Sequence, residues 1–312
     1  MPEAPVDAVL MVGFGGPASA GEIMPFLREV AEDRRIPEER LREVEQHYLQ
    51  VGGCSPYVQR TQDQKRALER WLQENGRKLP VYLGMRHGRP RLKDTLATLR
   101  DDARRHAVVV VLSSHRAEAS WERYQRSVAK GIEAAGSGGL EVTYMDPWFD
   151  DPRFVEAHAS RLEEVVDTAD GEWPEALPVI FTAHSLPREM AGVASYVKEL
   201  RASCHGVADL LEIPDWELAY QSRSGPPEAA WLEPDINDVL RRRAAAGDRR
   251  VVVQAIGFLV DHVEVLYDLD IQARRTAAEA GLTFLRAGCV NEHPQFITLL
   301  GERILQAAGR GS

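Results

Sequence analysis

Cysteine is scarce: Cys54, Cys204 and Cys289 stand apart in the 312 residues, with no C-x-x-C pair. This excludes a disulfide framework and the four thiolates of an iron–sulfur cluster, and it fits a reducing compartment. Basic charge is also short. Lys and Arg number 38 against 48 Asp and Glu, for a formal net charge of −10. A general nucleic-acid role needs the opposite balance. Apolar runs fall well short of the roughly eighteen residues of a membrane span, so no stable membrane insertion is expected. The stretch MPEAPVDAVLMVGFGG has neither a basic leader nor a long apolar region. No signal peptide is expected, and a cytoplasmic location is. Tandem repeats and low-complexity tracts are missing as well.

What is present can build a sizeable core, since 44% of the residues are hydrophobic and 28% charged. The length suggests about two domains. Short β-branched runs recur as strand candidates: AVLMV (8–12), VYLG (81–84), VVVVL (108–112) and LEVTYM (140–145). The second half repeats them with VIFTA (179–183), WELAY (216–220), VVVQAI (251–256) and LTFLRA (282–287). Continuous apolar strands alternating with amphipathic helices predict parallel sheets covered on both faces. The expected fold is α/β: two similar Rossmann-like doubly wound domains, each a four-stranded parallel sheet flanked by helices. The break falls near MDPWFDDP, giving domains 1–147 and 148–312. A terminal helix, 293–309, is open to packing back on the first domain.

In open parallel sheets ligands bind beyond the carboxyl ends of the strands. That rule selects GFGGP (13–17), SSHR (113–116), HSLP (184–187), QSRSGPP (221–227) and the segment after the seventh strand. A cleft lined by these turns is the default site. Gly13, Gly15 and Ala18 satisfy G-x-G-x-x-A, but Pro17 interrupts the fingerprint and the next strand lies far downstream. A tight strand-to-helix turn is the better reading, although glycine also lets a flat ligand approach the backbone. His184 ends a buried strand, where a hydrogen-bonded core histidine is the commoner case. Asp261, Glu264 and Asp268, continued by Gln272, fall in one row at helical spacing, which by itself also reads as a solvated face. If strands five and seven end at one cleft, His184 and Glu264 face each other. Imidazole with one carboxylate suits a borderline divalent ion such as iron(II), and it suits proton removal. His115 has a weaker claim on the same place, and His87 reads as a structural or rim residue. Arg223, in a Gly-Pro loop, matches a carboxylate on a ligand.

FTAHSLP, YQSRSGPPEAAWLEPDI and GFLVDHVEVLYDLDIQ, in this order and spacing, closely resemble ferrochelatases, which insert iron(II) into a porphyrin in haem synthesis. VGFGGPAS, HYLQVGGCSPY and VYLGMRHGRP extend the likeness over nearly the whole chain. The resemblance implies two Rossmann-like domains and a porphyrin cleft. It implies His184 and Glu264 as metal ligands and acceptors of the pyrrole protons, with Asp268 on the metal's approach. Phe14, Ser55 and Tyr124 fall on positions lining the porphyrin. Some coproporphyrin-type members carry tyrosine where Phe14 stands, so no axial ligand is expected there. Gln272 replaces what is often a carboxylate. The wording of GFGGP and YQSRSGPP favours coproporphyrin III over protoporphyrin IX. Iron(II) is then substrate, with no tightly bound cofactor and no iron–sulfur cluster, and a monomer is expected. The rivals are a cobalt or nickel chelatase of another tetrapyrrole, a non-catalytic porphyrin carrier, and a Rossmann oxidoreductase.

Overall fold

The computed structural model describes residues 5–32, 36–167, 177–224 and 229–309. The chain divides into two compact units. The first comprises Met1–Ser113, Ala119–Pro147 and Glu292–Ser312; the second comprises Ser114–Glu118 and Trp148–Asn291.

In the first unit the order is β1 (Ala8–Gly13), α1 (Ile23–Ala31), α2 (Glu38–Gln50), α3 (Tyr57–Glu74), β2 (Val81–Met85), α4 (Leu92–Asp101), β3 (His106–Val111), α5 (Arg123–Ala134) and β4 (Glu141–Tyr144). The sheet is parallel in the order β2-β1-β3-β4. Every residue of β1 and β3 is buried. Helices cover both faces of these central strands, so AVLMVG and HAVVVV run apolar without alternation. β4, at the edge, is only partly buried.

The second unit runs α6 (Pro152–Asp167), β5 (Val179–His184), α7 (Val193–Leu210), β6 (Trp216–Gln221), α8 (Ile236–Ala246), β7 (Arg250–Gln254), α9 (Val263–Val265), a π-helical stretch Leu266–Ala273, α10 (Arg274–Glu279) and β8 (Thr283–Ala287). Its parallel sheet has the order β6-β5-β7-β8, the same winding as the first. The expected pair of doubly wound, four-stranded parallel sheets is what forms. α11 (Pro294–Gly309) returns to the first unit and packs on α3. A Cβ on Gly301 would come within 2.1 Å of the Trp71 ring, so only glycine lets these two helices approach this closely.

One local expectation fails. The segment 257–272 does not enter a helix at the end of β7, because helical structure starts only at Val263. Asp261 therefore precedes the helix and is not part of its acidic row. Its carboxylate is buried, 2.6 Å from Arg286 Nη1 and 2.8 Å from Asn291 Nδ2. The ion pair ties the loop to β8 and holds the Asp261 carboxyl below its usual range, overcoming the opposing effect of burial.

Candidate functional site

Strand order reverses between β5 and β7, and a crevice opens at the carboxyl ends where a doubly wound sheet does this. His184 is the last residue of β5, and Glu264 lies in the first turn of α9, the helix that follows β7. His184 Nε2 and a Glu264 carboxylate oxygen are 3.9 Å apart, and the two side chains are 29% and 44% exposed. That separation is too long for a hydrogen bond. It is within the span that two atoms can bridge when each holds one ion at about 2.1 Å. The ring is also set in the required tautomer. His184 Nδ1 lies 2.6 Å from the Ser185 carbonyl oxygen, which can only accept, so Nδ1 carries the proton and Nε2 presents its lone pair.

Several neighbours fix this pair. His262 caps α9, its Nδ1 accepting the Glu264 N–H at 3.2 Å. Burial holds the His262 ring below its usual range, so it serves as a neutral acceptor. Gln221 Nε2 donates to the Glu264 carbonyl at 3.2 Å, and the Tyr196 hydroxyl donates to the His184 carbonyl at 3.2 Å. Asp268 follows on the π-helical stretch. Such a stretch wraps more residues per turn than an α-helix, so Glu264, Asp268 and Gln272, spaced by four, stay nearly in line. The Asp268 carboxylate accepts a hydrogen bond from the Ser222 hydroxyl. Burial, with Glu264 and Asp235 adding repulsion, pushes Asp268 up to about 7. Among the described residues no three His, Cys, Asp or Glu side chains gather as a metal-holding group. His184 and Glu264 thus stand as a two-ligand pair with Asp268 further along the row.

In the first unit, three of the expected residues meet at one that sequence reasoning missed. The Tyr57 hydroxyl accepts the Phe14 N–H at 2.9 Å and is hydrogen-bonded to Tyr124. The Tyr57 N–H in turn reaches Ser55 Oγ at 3.3 Å. Burial pushes the Tyr57 phenol up to about 12, so it stays neutral. Tyr124 and Ser55 are buried within this cluster, while Phe14 is half-buried, its ring tilted 60° to that of His87 with centroids 5.1 Å apart. Gly15 has φ +104°, and a Cβ there would sit 1.8 Å from the His87 carbonyl oxygen. The glycine is required by the turn itself. A dinucleotide fingerprint is excluded on the same ground, since α1 begins only at Ile23.

Arg223 is exposed and donates to the Ala229 carbonyl at 3.2 Å. It lines a cavity of about 300 Å³ together with Glu233, Asp235 and Asp238. Residues 225–228 of that loop, which include Gly225, Pro226 and Pro227, lie outside the described residues. His115 does not join the pair. It is buried between Ser114 Oγ and Ser203 Oγ, each at 2.9 Å, and burial holds it down at about 3. The missed residues stand at the ends of elements, the places where capping and cross-strand partners occur. Tyr57 opens α3 after GGCSP, and Gln221 closes β6.

The fold is that of tetrapyrrole chelatases. The chain superposes on the sirohydrochlorin chelatase SirB from Bacillus subtilis in complex with cobalt with a TM-score of 0.60 at 11% identity, covering 98% of this chain and 96% of that one. The terminal siroheme-biosynthesis enzyme CbiX of denitrifying bacteria gives 0.55 at 15% identity, covering 96% and 99%. The family model for ferrochelatase matches residues 6–308, and the chain belongs to that family. It is 38% identical over 301 residues to the coproporphyrin III ferrochelatase of Mycolicibacterium smegmatis, covering 96% of this chain and 88% of the relative. It is 36% identical over 307 residues to the ferrochelatase of Rhodopirellula baltica, covering 98% and 87%. No helix among the described residues is long and apolar enough to cross a membrane.

Proposed function

We propose that this chain inserts iron(II) into coproporphyrin III in haem biosynthesis, with release of two protons. One observation carries the reading: an imidazole whose Nε2 lone pair is exposed faces a carboxylate across 3.9 Å, at the reversal point of the second sheet. Relatives named coproporphyrin III ferrochelatase, at 36–38% identity, support the choice of ring.

The reaction requires both pyrrole N–H protons to leave as four ring nitrogens bond the incoming ion. His184 Nε2 takes one proton as general base, and Glu264 holds the ion beside it or takes the second. A two-ligand pair leaves most of the ion's coordination positions open, which suits an ion that is passed on. Asp268, poised near neutrality, extends the path by which cation and protons exchange with solvent. In the first unit, Phe14 offers the macrocycle a ring face and no metal ligand. Gly15, Ser55 and Tyr124 shape that surface through Tyr57, and Arg223 serves a propionate carboxylate. The remote contacts supply the grip needed to bend the ring. Iron(II) is substrate, no tightly bound cofactor takes part, and the chain acts in the cytoplasm as a monomer.

The test is an anaerobic assay offering iron(II) with coproporphyrin III and, separately, protoporphyrin IX. Faster metallation of coproporphyrin III is expected. Tight porphyrin binding without metallation would leave a carrier, and activity only with cobalt or nickel on a sirohydrochlorin-type ring would leave the other chelatase class.

A further inference from the structure

Gln221 is placed unusually for a residue with an amide. It ends β6 in register with His184, is 1% exposed, and its Oε1 accepts no hydrogen bond from any described residue. A buried amide with half its capacity unmet costs stability that an apolar side chain of the same shape would not. Packing therefore does not explain it. Its remaining bonds do something else. The main-chain carbonyl accepts the Ser185 N–H at 2.8 Å, and Ser185 is the residue whose carbonyl fixes the His184 ring at 2.6 Å. The side-chain Nε2 donates to the Glu264 carbonyl at 3.2 Å. One residue thus holds both halves of the pair, one through its backbone and the other through its side chain. The amide cannot be turned round, since Oε1 would then oppose the Glu264 carbonyl oxygen.

We propose that Gln221 is a positioning residue that sets the 3.9 Å spacing between His184 and Glu264, so that the pair receives a divalent cation. The proposal rests on the functional reading above for the identity of the substrate, but the spacing and its consequence for a bound cation do not. Gln221 acts on Glu264 through its main chain, as outer partners of metal ligands do, and its side chain is also hydrogen-bonded to the Asp268 carboxylate.

The test uses the full chain with Gln221→Met, which keeps the volume and removes the donor, and Gln221→Glu, which keeps the shape and turns the donor into an acceptor. Thermal midpoints, KM for iron(II), KM for the porphyrin and kcat are measured, and cobalt(II) is titrated alone by its visible absorption. For Gln221→Met, KM for iron(II) should rise and cobalt(II) affinity fall by roughly tenfold. KM for the porphyrin should stay within about twofold, because the lost interaction is not with the ring. Gln221→Glu should show the larger metal defect of the two. Unchanged cobalt(II) affinity in folded Gln221→Met, or iron and porphyrin KM rising together, overturns the proposal. Failure of both variants to fold overturns it too, since the residue would then be structural. If the wild type does not metallate porphyrin, the functional reading falls while the cobalt(II) arm still decides the role of Gln221.

Discussion

The imidazole of His184 is held by a single carbonyl, and that bond decides which nitrogen is available. Replacing His184 with Ala should lower iron insertion by roughly two to four orders of magnitude. Porphyrin binding, followed by fluorescence quenching, should persist, and wild-type turnover in the variant would refute the assignment. Asp268 has a separate signature. Its carboxyl is raised to about 7 from an ordinary 3.8, so the folded chain holds a proton that the unfolded chain releases between those values. Stability from this residue is therefore greatest at acid pH, declines as pH rises through that interval, and is lowest above about 7. Asp268→Asn, which keeps an acceptor for Ser222, should be more stable than wild type at pH 8 by on the order of 1–3 kcal/mol. The gap should close near pH 4 in denaturant titrations, and a constant difference across that range would refute it. The placement of His184 at a strand end and of Glu264 and Asp268 in one spaced row was legible in sequence. Gln221 and Tyr57 were not, because their partners lie 43 residues away along the chain in both cases.

At the scale of elements, the strands announce themselves as unbroken apolar runs, and the reversal between β5 and β7 follows from which strands pair. The start of α9 did not announce itself. GFLVDH carries helix-compatible spacing, but Asp261 is drawn off to Arg286 and Asn291, and the helix begins only when His262 caps it. Long-range pairing overrode local periodicity. Nor does any residue pattern signal the π-helical stretch. Arg286 bridges Asp261 at 2.6 Å and Asp270 at 2.7 Å with its own side chain 14% exposed. Arg286→Leu strands two carboxylates and should destabilise the fold by about 3–5 kcal/mol. A calorimetric midpoint within a degree or two of wild type would count against that role.

For the whole molecule, the two sheets share one winding, and two doubly wound domains were predictable from four apolar strands on each side of the middle. The partition was less so. In the middle of the chain the units divide after Pro147, while Ser114–Glu118 clusters with the second unit and Glu292–Ser312 with the first. Contacts distant in sequence, such as Gly301 against Trp71, decide such assignments. Gly301→Ala should overpack the α3–α11 seam and cost about 1–3 kcal/mol, read as a lower urea midpoint with an unchanged slope. The twin windings also differ in electrical character. The reversal point of the second sheet carries His184 and Glu264, whereas Phe14, Ser55, Tyr57 and Tyr124 in the first unit are uncharged, with His87 and Glu29 at their edge. On the proposed reading, choice of cation and choice of ring rest on different side chains, so that one can change while the other is kept. A single chain of this design can drift toward a new pigment without relearning which ion to accept.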